Sequence, residues 1–159
     1  GSAITLPDGK QLFMYTSVRK EAQPDGVSAI YRHKALQSVM GWIMKRMYEI
    51  RFLQQKTCRK TAALDFRDPK MWKCEDGTYR CVIVNDRADG TGGRILLYRS
   101  EDGFNWEFES VMLSNDGRFG KMWECPDFFT LDGKDVVLVS PQDMLPKALS
   151  TTMVMELFA

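Results

Sequence analysis

The chain has 159 residues, long enough for one domain whose core needs no disulfide or metal staple. Hydrophobic residues make up 44% and charged residues 27%, which excludes wholesale disorder. The net charge of +1 argues against a nucleic-acid partner, and no run of about 18 apolar residues is present to span a membrane.

The chain opens on Gly1-Ser2 without a basic-then-apolar leader, so no secretory signal is expected. Cys58, Cys74, Cys81 and Cys125 form no C-x-x-C pair, and His33 is the single histidine. A Cys/His zinc site is therefore not expected, and the chemistry read below implies no metal or organic cofactor. A disulfide framework is also not expected in such a chain, and reduced thiols fit a cytoplasmic protein.

Asp-Gly, the strongest short-range hairpin signal, occurs seven times, at 8, 25, 76, 89, 102, 116 and 132. None falls between Gly26 and Asp76. Residues 30–64 instead hold eight Lys and Arg against one acid, Glu49. Leu36, Met40, Ile43, Met47 and Ile50 recur at helical spacing, which predicts a basic amphipathic helix suited to an anionic membrane or a calmodulin-like groove. A second reading is a displaced reading frame over 32–64. Joining the third base of each codon to the first two of the next restores an alternating strand, Asp-Gly turns and acidic residues, up to Asp65. The same displacement from Lys147 turns 147–159 into β-like text.

From 65 onward the expected strands are Phe66–Lys73, Tyr79–Val84, Arg94–Arg99, Trp106–Leu113, Trp123–Leu131 and Val136–Ser140, rich in Val, Ile, Leu, Phe and Tyr. They form an antiparallel meander suited to a sandwich, a barrel or a propeller. Four strands run before the pattern restarts near Met122. The first and fifth strands each carry an acid beside a proline, in Arg67-Asp68-Pro69 and Glu124-Cys125-Pro126-Asp127. Asp68 and Glu124 lie 56 positions apart, against about 40–50 residues in common propeller repeats. In a propeller both acids would face one central funnel; in an unclosed sandwich they would sit at strand ends. Spacing leaves both open.

Asp68 precedes Pro69, which biases its backbone to extended geometry. Arg67 can hold a polyol or a carboxylate. Glu124 lies between Trp123 and Cys125, with Phe128 and Phe129 close behind. Partial desolvation among aromatics favours the protonated form, as a general acid needs to protonate a leaving glycosidic oxygen. A purely structural ion pair accounts for the same residues.

Phe66-Arg67-Asp68-Pro69-Lys70 with Trp72, followed by Met122-Trp123-Glu124-Cys125-Pro126-Asp127-Phe128-Phe129, resembles glycoside hydrolase family 32, the sucrose-6-phosphate hydrolases, invertases and β-fructofuranosidases. Gly1-Ser2-Ala3, Leu12–Ser17, the S-x-D-G-x-x-W run Ser100–Trp106 and Ser140-Pro141-Gln142 fit the same family. The resemblance implies an all-β fold, part of a five-bladed β-propeller of which 1–159 would be about two and a half four-stranded blades, with the family's C-terminal β-sandwich outside it. It implies retaining hydrolysis of β-D-fructofuranosides through a covalent intermediate, with sucrose, sucrose 6-phosphate or a fructan as small-molecule partner. Glu124 would be the general acid/base and Asp68 the transition-state stabiliser. Arg67, Trp72, Trp123 and Cys125 would surround the sugar, Cys125 by tuning Glu124; the two tryptophans either stack on it or fill the core. The family's nucleophile is an Asp in a Trp-Met-Asn-Asp-Pro-Asn run, expected upstream of Gly1 and not found in 1–159. The chain alone is then expected not to turn over substrate, and an open arc of blades to leave sheet edges unpaired. The alternatives are a fructosyl-binding propeller without catalysis, and an interaction protein acting through the basic helix at 30–64.

Overall fold

The structure, a computed structural model, describes residues 1–22, 28–40, 65–87, 90–144 and 153–157. Among them are ten strands and no helix: β1 (Ser2–Thr5), β2 (Gln11–Ala22), β3 (Ser28–Met40), β4 (Phe66–Lys73), β5 (Tyr79–Asp86), β6 (Gly93–Ser100), β7 (Glu107–Ser114), β8 (Trp123–Leu131), β9 (Lys134–Pro141) and β10 (Met153–Leu157). They form three antiparallel meanders in chain order: β1-β2-β3, the four-stranded β4-β5-β6-β7, and β8-β9-β10. Every expected strand from 66 to 141 is present, with boundaries within two residues.

The Asp-Gly signals act through positive φ. Asp132 and Gly133 take φ of 51° and 75° and close the two-residue loop between Leu131 and Lys134. In Ser100–Trp106 the Asp102 carboxylate accepts the N–H groups of Phe104 (2.7 Å) and Asn105 (2.6 Å), and Trp106 Nε1–H donates to Gly103 O (3.0 Å). Desolvation pushes the Asp102 carboxyl up, but these bonds, with those from Asn105 Nδ2 and Ser100, outweigh it and bring its pKa down to about 2.

The middle sheet is buried on both faces, which explains the unbroken apolar run Cys81-Val82-Ile83-Val84. By strand alternation Cys81 and Ile83 join a core with Leu12, Met14, Phe66 and Tyr98, against the first sheet. Val82 and Val84 join Ile95, Met122, Trp123, Val137 and Val139, against the third. Three sheets stacked face to face, each led by its first strand, make an arc of a β-propeller.

The expected basic helix over 30–64 is corrected where the structure describes it. Residues 28–40 form β3, paired with β2 from Ala22↔Ser28 to Gln11↔Met40. The long β2 edge satisfies the backbone donors and acceptors of this segment in a ladder, and that pairing overrides the local 3.6-residue pattern. Residues 41–64, with Ile43, Met47 and Ile50, lie outside the described residues. Of the stretches assigned to a displaced frame, 32–40 lies in β3 and 153–157 in β10, which pairs with β9.

Candidate active site

The site forms where β4 and β8, the leading strands of neighbouring sheets, run side by side. Each carries a bulge at its proline. In β4, Arg67 pairs with Val84 and Lys70 with Val82, so Asp68 and Pro69 together oppose a single residue of β5. In β8, Glu124 pairs with Ser140 and Asp127 with Leu138, so Cys125 and Pro126 oppose a single residue of β9. A bulge tolerates a residue that cannot donate to the ladder, and it re-aims the side chains around it.

The two bulges set the correspondence between the blades. Asp68 is equivalent to Cys125, and Arg67 to Glu124. Counting acids along the chain matches Asp68 with Glu124; the strand register moves that match by one residue. The backbone at Asp68 is also not extended. Asp68 and Cys125 have φ of 56° and 48°, left-handed values that cost about 1–3 kcal/mol each and persist where surrounding contacts enforce them. At Asp68 the enforcing contacts are visible. Its N–H donates to Thr16 Oγ1 on β2 (2.9 Å), and its Oδ2 accepts the N–H of Cys125 on β8 (3.0 Å). These bonds from two neighbouring sheets override the preference set by the following proline.

Equivalent residues face each other across the seam with opposite charge. Arg67 Nη2 lies 3.0 Å from Glu124 Oε1, and Lys70 Nζ lies 2.9 Å from Asp127 Oδ1. Arg67 is 6% exposed. Its Nη1 meets Asp65 Oδ1 at 2.9 Å, Nη2 also donates to Gln142 Oε1 at 3.2 Å, and Nε has no partner. A buried guanidinium demands such partners, because desolvation is costly unless acceptors replace water. The Glu124 side chain keeps 35% of its surface exposed. It therefore sits in an ion pair open to solvent rather than in an aromatic socket: Phe128 is taken up by Trp72, stacked on it at 4.7 Å and 22°.

The remaining residues singled out from sequence divide clearly. Trp123 is 1% exposed in the core between the second and third sheets, and its Nε1–H donates to Phe119 O at 3.0 Å. Trp72 packs against the same core. Both therefore pack into the apolar seam between the second and third sheets. Cys125 is exposed beside Asp68 and Glu124; desolvation first, then those two carboxylates, push its thiol pKa up. Cys81 is buried, which drives its thiol far above the ordinary value.

Five residues were missed from sequence as partners: Thr16, Asp65, Gln142, Lys70 and Asp127. Gln142 was within reach. Extending the hairpin through Asp132-Gly133 to the observed pair Trp123↔Pro141 puts Gln142 opposite Met122, two residues from Glu124. The backbone agrees, with Gln142 N–H on Met122 O at 2.7 Å and Lys121 N–H on Gln142 O at 2.9 Å. Among the described residues, no cluster of three or more His, Cys, Asp or Glu is arranged to hold a metal, and no helix is long and apolar enough to cross a membrane.

One carboxylate held by a guanidinium and another held by a backbone N–H, at the leading strands of an all-β arc, make up the candidate site of a propeller fold. Residues 1–157 match the Glycosyl hydrolases family 32 N-terminal domain, and the chain belongs to that family. It is 31% identical over 148 residues to the sucrose-6-phosphate hydrolase of Bacillus subtilis, covering 91% of this chain and 29% of that protein. It is 48% identical over 77 residues to the sucrose-6-phosphate hydrolase of Staphylococcus xylosus, 48% of this chain and 15% of that one. Its fold is similar to that of the Bombyx mori GH32 beta-fructofuranosidase BmSUC1, with TM-score 0.71 and 31% identity over 98% of this chain and 32% of that one. A mutant of that enzyme in complex with sucrose superposes with TM-score 0.70. The chain thus spans less than a third of the length of each of these relatives.

Proposed function

We propose that this chain carries one part of an active site that hydrolyses terminal β-D-fructofuranosides, such as sucrose or sucrose 6-phosphate, with retention. The observation that carries the reading is the meeting of Glu124 and Asp68 at one seam, tied through Arg67 and the Cys125 N–H. Glu124, solvent-accessible yet fixed, is placed to give a proton to the departing glycosyl oxygen and then take one from water. Asp68 presents fixed negative charge where the fructosyl ring gains positive charge. Arg67 orients Glu124, and Cys125 contributes its backbone N–H to Asp68. The covalent step needs a nucleophile. A Trp-Met-Asn-Asp-Pro-Asn run does not occur in residues 1–159, so the complete reaction is assigned to a longer product of which these residues are part. We further assign 32–64 and 147–159 to a displaced reading frame, which sequencing the gene decides directly. We also propose a cytoplasmic setting, in which a thiol such as the exposed Cys125 stays reduced.

The test has two arms. Sucrose and sucrose 6-phosphate titrated into the chain should shift the amide signals of Asp68, Glu124 and Cys125 saturably at millimolar sugar, and Asp68→Ala should abolish the shift. In a gene product that also encodes the nucleophile run, Glu124→Gln should lower kcat by about 10²–10⁴-fold. No shift at millimolar sugar, or full activity in Glu124→Gln, refutes the reading. Saturable binding to the chain with no hydrolysis by the longer product would identify a fructosyl-binding propeller instead.

A further inference from the structure

Arg67 Nη2 has two acceptors, and only one of them takes part in proton transfer under the function proposed above. Glu124 Oε1 lies at 3.0 Å and Gln142 Oε1 at 3.2 Å. A carboxyl that gives its proton to a leaving oxygen has to loosen its hold on the guanidinium. Arg67 is 6% exposed, so it cannot replace a lost acceptor with bulk water, and its Nε already lacks a partner.

The chemistry of the pair also fixes the amide. A guanidinium only donates, so the Gln142 oxygen must face Arg67 and its Nε2 must turn away. Gln142 is well anchored for this task. Its N–H donates to Met122 O at 2.7 Å and its C=O accepts from Lys121 N–H at 2.9 Å. Gly120 closes over it so tightly that a Cβ there would lie 2.2 Å from Gln142 O. Glutamine does not titrate, so this acceptor is the same at every stage of a proton-transfer cycle.

We propose that Gln142 is a positioning residue. It is the standing seat of Arg67 Nη2, as the Asp65 carboxylate is of Nη1, and it holds the Nη2 end in place while Glu124 is engaged with a proton or a substrate oxygen. The proposal rests on Glu124 as the proton-transferring group, but its test needs no fructoside, so failure of the seat and failure of the fructosidase reading are distinguishable.

The experiment follows solvent exchange of the Arg67 Nε–H by ¹⁵N NMR in this chain. That proton is buried and unpartnered, so its protection reports whether the guanidinium stays seated. Glu124→Ala stands in for a carboxyl that has let go. Glu124→Ala alone and Gln142→Ala alone should each change the exchange rate less than threefold, because each leaves Nη2 one acceptor. The two together should speed it tenfold or more. The exchanged pair Glu124→Gln with Gln142→Glu keeps one charged and one neutral acceptor, and it should restore slow exchange; it decides the matter if the double alanine variant does not fold. If Glu124→Ala alone exchanges as fast as the double variant, if the double is no faster than either single, or if the exchanged pair leaves Arg67 unprotected, Gln142 is not the seat and the proposal falls.

Discussion

Replacing Arg67 with methionine tests whether the guanidinium holds the second and third sheets together. Methionine keeps the apolar stem and removes every donor. The replacement breaks the bonds of Nη1 to Asp65 at 2.9 Å, of Nη2 to Glu124 at 3.0 Å and of Nη2 to Gln142 at 3.2 Å. A hydrogen bond to a charged group contributes about 1.5–3 kcal/mol, and the low end applies because both carboxylates can recover water. Asp65 and Glu124 keep 24% and 35% of their side-chain surfaces exposed. The bond to the uncharged Gln142 amide adds about 0.5 kcal/mol, and removing the unpartnered Nε returns about 1 kcal/mol. The net loss is about 2–3 kcal/mol. With a urea slope of about 2–3 kcal/mol per molar, the unfolding midpoint should fall by about 1 M. Tryptophan fluorescence provides the readout, since Trp123 sits in the core of this seam. In a Glu124→Gln background the same replacement should lose about 1 kcal/mol less, the signature of contacting residues. A midpoint shift below about 0.3 M, or strictly additive losses, would show that the ion pairs merely decorate a seam held by its apolar core.

Three further outcomes follow from the geometry. Gly120→Ala should cost about 3 kcal/mol or more in denaturant unfolding, because φ is +70° and the new Cβ would meet Gln142 O at 2.2 Å; Gly117→Ala, at φ +90° with open space, should cost only about 1–2 kcal/mol, and equal losses would refute the argument. Asp102, depressed from an ordinary 3.8 to about 2, stabilises the fold above pH 4 and loses that contribution as pH falls through about 2. After discounting for its exposure this is worth about 1 kcal/mol, so the melting-temperature gap between wild type and Asp102→Asn should be flat above about pH 5 and close towards pH 2; a gap unchanged at pH 2 would contradict it. Cys125 is exposed, but its thiol is pushed up by desolvation and by Asp68 and Glu124, so iodoacetamide should label it slowly near neutral pH and several-fold faster in Asp68→Asn. An unchanged rate would place Asp68 too far from the sulfur to matter.

The parts legible in the sequence were those encoded locally. Asp-Gly pairs and short apolar runs marked each strand from Phe66 to Pro141, because a tight turn needs positive φ at its own residues. The motif residues Arg67, Asp68 and Glu124 were legible as a group, and the structure brings them together. Their exact correspondence was not, because it depends on two bulges, and bulges count by hydrogen-bond register rather than by residue type. The left-handed backbone at Asp68 was hidden for a similar reason: the rule for residues before proline is local, while Thr16 and Cys125 act from other sheets. Gln142 and Arg67 touch across 75 residues of sequence, a contact that no periodicity reports. The helical spacing of Leu36 and Met40 misled because β2 offered their backbone a ladder.

The seam between β4 and β8 has a polarity. At matching places on either side of matching bulges, β4 carries Arg67 and Lys70, while β8 carries Glu124 and Asp127. Blades built alike are at risk of stacking on the wrong neighbour, or on the same blade of another molecule, since the apolar faces alone do not distinguish them. Here a second β4 set beside β4 would oppose cation to cation, and β8 beside β8 acid to acid, at the point where Arg67 is most deprived of water. The charges therefore work as an address, written on the backbone device that also shapes the site, and they favour β8 over a second β4 at this seam.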